Sequence, residues 1–330
     1  MSGSPETFHR GLEGYAPTPL IEVPDIARRL DVDRAFVKDE SKRLGLPAFK
    51  VLGASYAIHR ALAESSTDVR TLVTATDGNH GHAVARTAGL LGLGSRVYVP
   101  NGVEPAVVDA IRAEGAEVVE LDRAYDGTVA TAADNADSTG ALLIQDTAWP
   151  GYERVPGWIV DGYETLLGEI DQQLDDAGTD APDLVAVPVG VGSLAQAVVR
   201  HYRSGGPVPS VLSVEPTSAP CTVVSLDAGK SVTVATDNTA MAGLNCGTLS
   251  SLAWPVLRDG LDAAVTVTDD EAAAAIGQLA AQGVAAGPSG AAALAGATSA
   301  LATSSHRADL GIDENAVIVL LSTEGPVTGR

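Results

Sequence analysis

From residue 50 onward the chain alternates short apolar runs with alanine-rich stretches of helical spacing, and this constrains its fold more than any other feature. "TLVTA" (71–75), "RVYVP" (96–100), "EVVEL" (117–121), "ALLIQD" (141–146), "DLVAVPV" (183–189), "SVLSVEP" (210–216), "AAVTV" (263–267) and "NAVIVLLS" (315–322) read as strands. "HAVARTAGLLG" (82–92), "PAVVDAIRAEG" (105–115), residues near 127–139, "LAQAVVRHYRSG" (194–205) and "DDEAAAAIGQLAAQ" (269–282) read as helices. Apolar strands alternating with helices predict an α/β fold, a parallel sheet covered on both faces. The polar stretch 172–183 is expected as a surface connection between two such blocks, and two lobes with a cleft between them are expected overall.

At 330 residues, with 45% hydrophobic and 19% charged residues, the chain buries a sizeable core and is not a disordered polymer. Acidic residues outnumber basic ones by 42 to 21; the resulting charge of -21 repels nucleic acid and anionic membranes, and resembles adaptation to high salt. No apolar run is long enough to span a bilayer, and the polar start "MSGSPETFHR" shows no signal peptide, so a cytoplasmic protein is expected. Cys221 and Cys246 are too few for a disulfide framework and have no metal spacing; buried thiols are the expectation, with a bridge left open.

Four lysines are present, at 38, 42, 50 and 230. Three sit near charged or polar neighbours, whereas Lys50, in "LPAFKVLGASYA", stands among apolar and small residues where a helix begins. A lysine so placed is either a candidate amine nucleophile or a stem that carries its charge to water. "VPVGVGSLAQAVV" (187–199) reads as strand, glycine loop and helix start, whose free N–H groups fit a phosphate. A dinucleotide site is the alternative, since Gly190, Gly192 and Glu215 approach its spacing; Ala195 in place of a third glycine argues against it, and Ser193 favours a terminal monophosphate. A second strand, loop and helix start, "TATDGNHGHAVA" (74–85), carries Asp77, Asn79, His80 and His82. Its amides suit a carboxylate and Asp77 suits proton transfer, although Asp77 and Asn79 equally suit a turn and a helix cap. No third metal ligand accompanies the two histidines, and no metal is expected. Asp146 ends a strand, on the side where parallel sheets build their sites; an N-cap is its competing role.

Taken together, Lys50, the glycine loop and the "TDGNHG" loop describe pyridoxal phosphate held by a lysine Schiff base. The chain resembles the fold-type II pyridoxal-phosphate enzymes, the group of tryptophan synthase β and threonine dehydratase, and within it the diaminopropionate ammonia-lyase branch. The resemblance is carried, in the family's order, by "KDESKRLGLPAFKVLGASYA", "TATDGNHG", "QDTAWPGYERVPGWIVDGY", "VGVGSLA", "VEPTSAPC", "AMAGLNCG", "GPSGAAAL" and "LLSTEG". Generic members carry serine where Asp77 stands. The chain is shorter than this branch is expected to be, and Pro47 and Ala54 stand where a polar residue and a glycine are expected.

The resemblance implies a homodimer whose subunit has a large cofactor lobe, residues 13–35 with 155–330, and a small lobe, residues 36–154, with the active site in the cleft between open, mostly parallel sheets. It implies that Lys50 carries the cofactor, that Gly190, Val191, Gly192 and Ser193 hold its phosphate, that Asn79 meets the ring hydroxyl and that Ser322 meets the pyridine nitrogen. Thr76, Asp77, Gly78, Asn79, His80 and Asp146 are the implied substrate contacts, with Lys50, Asp77 and Asp146 moving protons. The implied reaction is α,β-elimination of 2,3-diaminopropionate to pyruvate and ammonia, on one or both enantiomers. Two aspartates also suit a dicationic substrate. A serine or threonine dehydratase is the alternative enzyme. An amino-acid sensor on the same fold would require the loss of Lys50 or the phosphate loop, and both are present.

Overall fold

A computed structural model describes residues 3–76, 78–179, 181–205 and 208–326. Among these residues the strands form two sheets. The larger comprises β1 (Leu20–Glu22), β2 (Arg34–Asp39), β7 (Leu184–Pro188), β8 (Ser210–Pro216), β9 (Ala263–Val267) and β10 (Val317–Ser322), in the order β1-β2-β10-β7-β8-β9. The smaller comprises β3 (Thr71–Ala75), β4 (Gly94–Val99), β5 (Glu117–Glu120) and β6 (Leu142–Leu143), in the order β5-β4-β3-β6. Every pairing is parallel except that of β1 with β2, at the edge of the larger sheet. The expected lobe boundary at residue 36 falls inside β2, all of which belongs to the larger sheet.

The strands are apolar along their length because both faces are covered; β7 is buried at all five positions. The helix Pro288–Ala300, made almost wholly of alanine, glycine and serine, is itself buried and packs against β7 to β10. On the opposite face, one core cluster runs from Leu72 and Ile144 of the smaller lobe to Val185 and Val319 of the larger. The helices Lys50–Glu64 and Arg154–Gly162 join the two parts, and they meet through glycine: a Cβ at Gly162 would lie 2.7 Å from the Leu52 carbonyl oxygen. The stretch 172–183 is only partly a connection, since the helix Glu164–Asp176 continues through Asp176 and Gln173 accepts from Lys38.

Lys38, not Lys50, is the fully buried lysine. Its Nζ donates to Glu169 Oε2 (2.7 Å), the Thr18 carbonyl (2.7 Å) and Gln173 Oε1 (2.8 Å). Arg43, equally buried, grips both Glu40 and Glu169. Burial would raise the Glu169 carboxyl, but hydrogen bonds and charge from Arg43, then Lys38, hold it at about 2. This cluster braces the segment leading to Lys50: Arg43 bridges to Leu46, and Glu40 N donates to the Ser322 carbonyl.

Candidate active site

The carboxyl ends of β3, β6, β7 and β10 converge on one cavity of about 710 Å³ including its mouth, where parallel sheets place their ligands. Phe49, Lys50, Asn79, Asp146, the Gly190–Ser193 loop and Glu324 form its walls. Lys50 is the first residue of its helix, and the Lys50 side chain is 18% exposed, through the cavity. Its Nζ donates to Asp146 Oδ2 at 2.6 Å. Burial would lower the Lys50 amine's proton affinity and raise that of the Asp146 carboxyl, but the opposite charge reverses both. Lys50 is held above the usual lysine range, and Asp146 at about 2.

Asp146 is set by its neighbours. Gln145, wholly buried, accepts at Oε1 from Ala75 N (2.9 Å) and Thr74 Oγ1 (3.2 Å), which turns its Nε2 toward the Tyr125 hydroxyl (3.1 Å) and Asp146 Oδ1 (3.4 Å). The Asp146 backbone carbonyl accepts from Ser193 Oγ at 2.7 Å. The Ser193 hydroxyl proton is therefore spent on tying the glycine loop to Asp146, and the loop offers an anion its backbone. Gly192 sits at φ +93°, a conformation that favours glycine, and a Cβ there would approach Ala253 Cβ to 2.9 Å. The helix Ser193–Arg203 then starts with N–H groups that have no carbonyl one turn earlier. Glu215 does not face this loop as a dinucleotide's acid would: it accepts from Thr222 N and Val223 N of the next helix.

Across the cavity, the helix Asn79–Leu90 begins earlier than its sequence pattern indicates, at Asn79. Asp77 lies outside the described residues. Thr76 N donates to the Tyr98 carbonyl and Gly78 N to Thr76 Oγ1, so two of the amides expected to grip a carboxylate already have acceptors. His80 and His82 diverge: His80 Nε2 meets the Ile144 carbonyl (2.8 Å), whereas His82 Nε2 meets Glu114 (3.0 Å). Burial lowers the His80 pKa, so the ring is neutral with Nε2 donating, and Nδ1 is a bare acceptor 3.9 Å from Asp146 Oδ2.

Glu324, which sequence reasoning missed as a site residue, accepts from Asn79 Nδ2 at 2.6 Å. Burial pushes its carboxyl up. Ser322 is buried with its hydroxyl unpartnered among the described residues, but Thr323 and Glu324, rather than Ser322, line the cavity. Cys221 and Cys246 are both buried and are not joined by a disulfide.

Pyridoxal phosphate fits these residues. An amine stands at one end, a backbone cradle closed to larger side chains at another, and two lining atoms, His80 Nδ1 and Ser289 Oγ, lack hydrogen-bond partners among the described residues. Fold and cavity together define a cofactor-dependent enzyme on mostly parallel α/β sheets, with a lysine on the cavity wall. The chain belongs to the family described as pyridoxal-phosphate dependent enzymes, whose model matches residues 12–324. It is 36% identical over 353 residues to the diaminopropionate ammonia-lyase of Salmonella typhimurium, covering 96% of this chain and 87% of that protein. It is 37% identical over 347 residues to the Escherichia coli K12 protein of the same name, covering 96% and 86%. A solved structure of Escherichia coli diaminopropionate ammonia lyase, in complex with an aminoacrylate-PLP azomethine reaction intermediate, superposes with a TM-score of 0.90 at 35% identity, covering 98% of this chain and 88% of that one.

Proposed function

We propose that this enzyme catalyses α,β-elimination of 2,3-diaminopropionate, which with water gives one pyruvate and two ammonia. The observation that carries the reading is the Lys50–Asp146 pair on the cavity wall, an ammonium and a carboxylate 2.6 Å apart. It is supported by likeness to the two ammonia-lyases along nearly the whole chain.

When bound, pyridoxal phosphate supplies an electron sink for the charge left at the amino acid's Cα. The first-turn amides of Asn79 and His80 hold the substrate carboxylate, Gly190, Val191, Gly192 and Ser193 hold the cofactor phosphate, and Asn79 holds the ring hydroxyl. The neutral hydroxyl of Thr323, just past β10 on the cavity wall, stands for the pyridine nitrogen in place of Ser322, which does not line the cavity. Lys50 exchanges the Cα proton on one face and Asp77 on the other. An amine leaves only as its conjugate acid, so a proton is needed near Cβ. Asp146, a carboxylate held at about 2, has no proton of its own to give; it would keep the substrate's distal amine as the ammonium that departs, taking it in place of the Lys50 ammonium.

We also propose a two-lobed homodimer in the cytoplasm. The two sheets support the lobes, residues 13–39 with 155–330 and residues 40–154, and the thiol state of both cysteines suits a reducing compartment. A monomer in light scattering would remove the dimer. Among the described residues no helix is long and apolar enough to cross a membrane.

The test is product stoichiometry. Two ammonia per pyruvate from 2,3-diaminopropionate, at a kcat/KM well above that for serine, supports the reading. Preference for serine, with one ammonia per pyruvate, establishes a dehydratase instead.

A further inference from the structure

Glu324 lies two residues past the end of β10 and joins three elements around the cavity. Its backbone bridges Ala48, two residues before Lys50, and its carbonyl accepts from Gly287 N at 2.9 Å. Its carboxyl accepts at Oε1 from Ser289 N (3.1 Å), at the start of the helix Pro288–Ala300, and at Oε2 from Asn79 Nδ2 (2.6 Å). Both carboxyl oxygens thus face N–H donors. Glutamine, with a single acceptor oxygen, cannot satisfy both, and would set its own NH2 against that of Asn79 or against Ser289 N.

The consequence falls on Asn79. Its side chain carries two donors on Nδ2 and an acceptor at Oδ1. Because Nδ2 is turned to Glu324, one N–H is engaged and the second remains on the same nitrogen; without Glu324 nothing in these contacts keeps the amide from turning over. A ring oxygen carrying negative charge needs a donor opposite it, and a carbonyl there repels it.

We propose that Glu324 is a positioning residue for the cofactor: it fixes the Asn79 amide so that an N–H, not the carbonyl, meets the ring oxygen of pyridoxal phosphate. This rests on the reading that Asn79 faces that oxygen. The donor stabilises the ring oxygen as an anion, so the proton shared between ring oxygen and Lys50 nitrogen stays on nitrogen, and the bound cofactor absorbs in the visible rather than the near ultraviolet.

The experiment loads purified wild type, Glu324→Gln, Asn79→Ala and the double variant with pyridoxal phosphate and records the dissociation constant and absorption spectrum of each. Melting of the apoproteins confirms folding. Glu324→Gln is expected to weaken cofactor binding about tenfold, which is about 1.4 kcal/mol, and to shift absorption toward the near ultraviolet. In the Asn79→Ala background the same substitution is expected to add less than about twofold, because its effect passes through Asn79. An unchanged spectrum in Glu324→Gln, or effects that multiply in the double variant, overturns the proposal. If Glu324→Gln does not fold, Glu324→Asp carries the test: it keeps both acceptor oxygens and is expected to retain the visible band, and a near-ultraviolet band overturns the proposal. Wild type that acquires no visible band defeats the cofactor reading itself, a distinguishable outcome.

Discussion

Asp146→Asn keeps the side chain's size and removes the charge that faces Lys50 at 2.6 Å. In the native chain, burial works to strip the Lys50 proton and Asp146 more than compensates. With Asp146 neutral, burial acts on the amine without that counterion. Breaking a buried ion pair by removing one partner costs about 3–5 kcal/mol, and at about 1.36 kcal/mol per pH unit that is a fall of about 2–4 units in Lys50 proton affinity. Because the Lys50 side chain is 18% exposed to the cavity, the lower part of that range applies. The carbonyl of pyridoxal phosphate is attacked by the neutral amine, so the rate at which apoprotein captures cofactor follows the neutral fraction of Lys50. Stopped-flow mixing, followed by growth of the visible band from neutral to alkaline pH, reads that fraction. The ascending limb for Asp146→Asn is expected to lie about 2–3 units to the acid side of wild type, making capture at a fixed pH on that limb about 10²–10³-fold faster. Superimposable pH profiles would show that Asp146 does not govern the Lys50 amine.

Asp77→Asn is expected to retain cofactor binding and lose about 10²–10⁴-fold in turnover of one diaminopropionate enantiomer only; equal losses on both enantiomers would leave Asp77 as a loop-shaping residue. Glu169→Gln removes an anion shared by buried Lys38 and Arg43, so it is expected to destabilise the fold by about 3–5 kcal/mol, or about 4–7 °C in Tm for a chain of 330 residues. The sign with pH follows from a carboxyl held at about 2 against an ordinary 4.5. This stabilisation is complete above about 4.5 and is lost as pH falls toward 2, so wild-type Tm is expected to drop across that window more steeply than the variant's; parallel curves would contradict the assignment. With a charge of -21, Tm is expected to rise from low to molar salt by screening of self-repulsion, and a flat or falling Tm refutes that argument.

Much of this architecture is legible in sequence because it rests on local pattern. β3, β7, β8, β9 and β10 sit where apolar runs end in glycine or polar loops, and the loops after β3, β7 and β10 are cavity walls. Lys50 opens its helix as its neighbours indicate. The helix Pro288–Ala300 is harder to read: it is buried on nearly every side, so no polar face marks its period. "ALLIQD" yields only the short strand Leu142–Leu143, because the Tyr152 hydroxyl takes up the Leu143 carbonyl and Gln145 N beside the Ile144 N bond to β3. Lys38 breaks the apolar run of β2, and its burial depends on Glu169, 131 residues away, which no local window contains. Glu324 escaped for the same reason. In sequence it is an ordinary acid after a strand, and its part emerges only when the fold brings Asn79 and Ser289 to its two oxygens.

The central claim is that Lys50 is the amine to which the cofactor is joined. Borohydride reduction of the cofactor-loaded protein, followed by proteolysis and mass spectrometry, places the covalent label on one residue. The label is expected on Lys50, within the peptide that follows Arg43, with loss of the visible band in step with its incorporation. A label on Lys38, Lys42 or Lys230, or a visible band that reduction leaves in place, would contradict it.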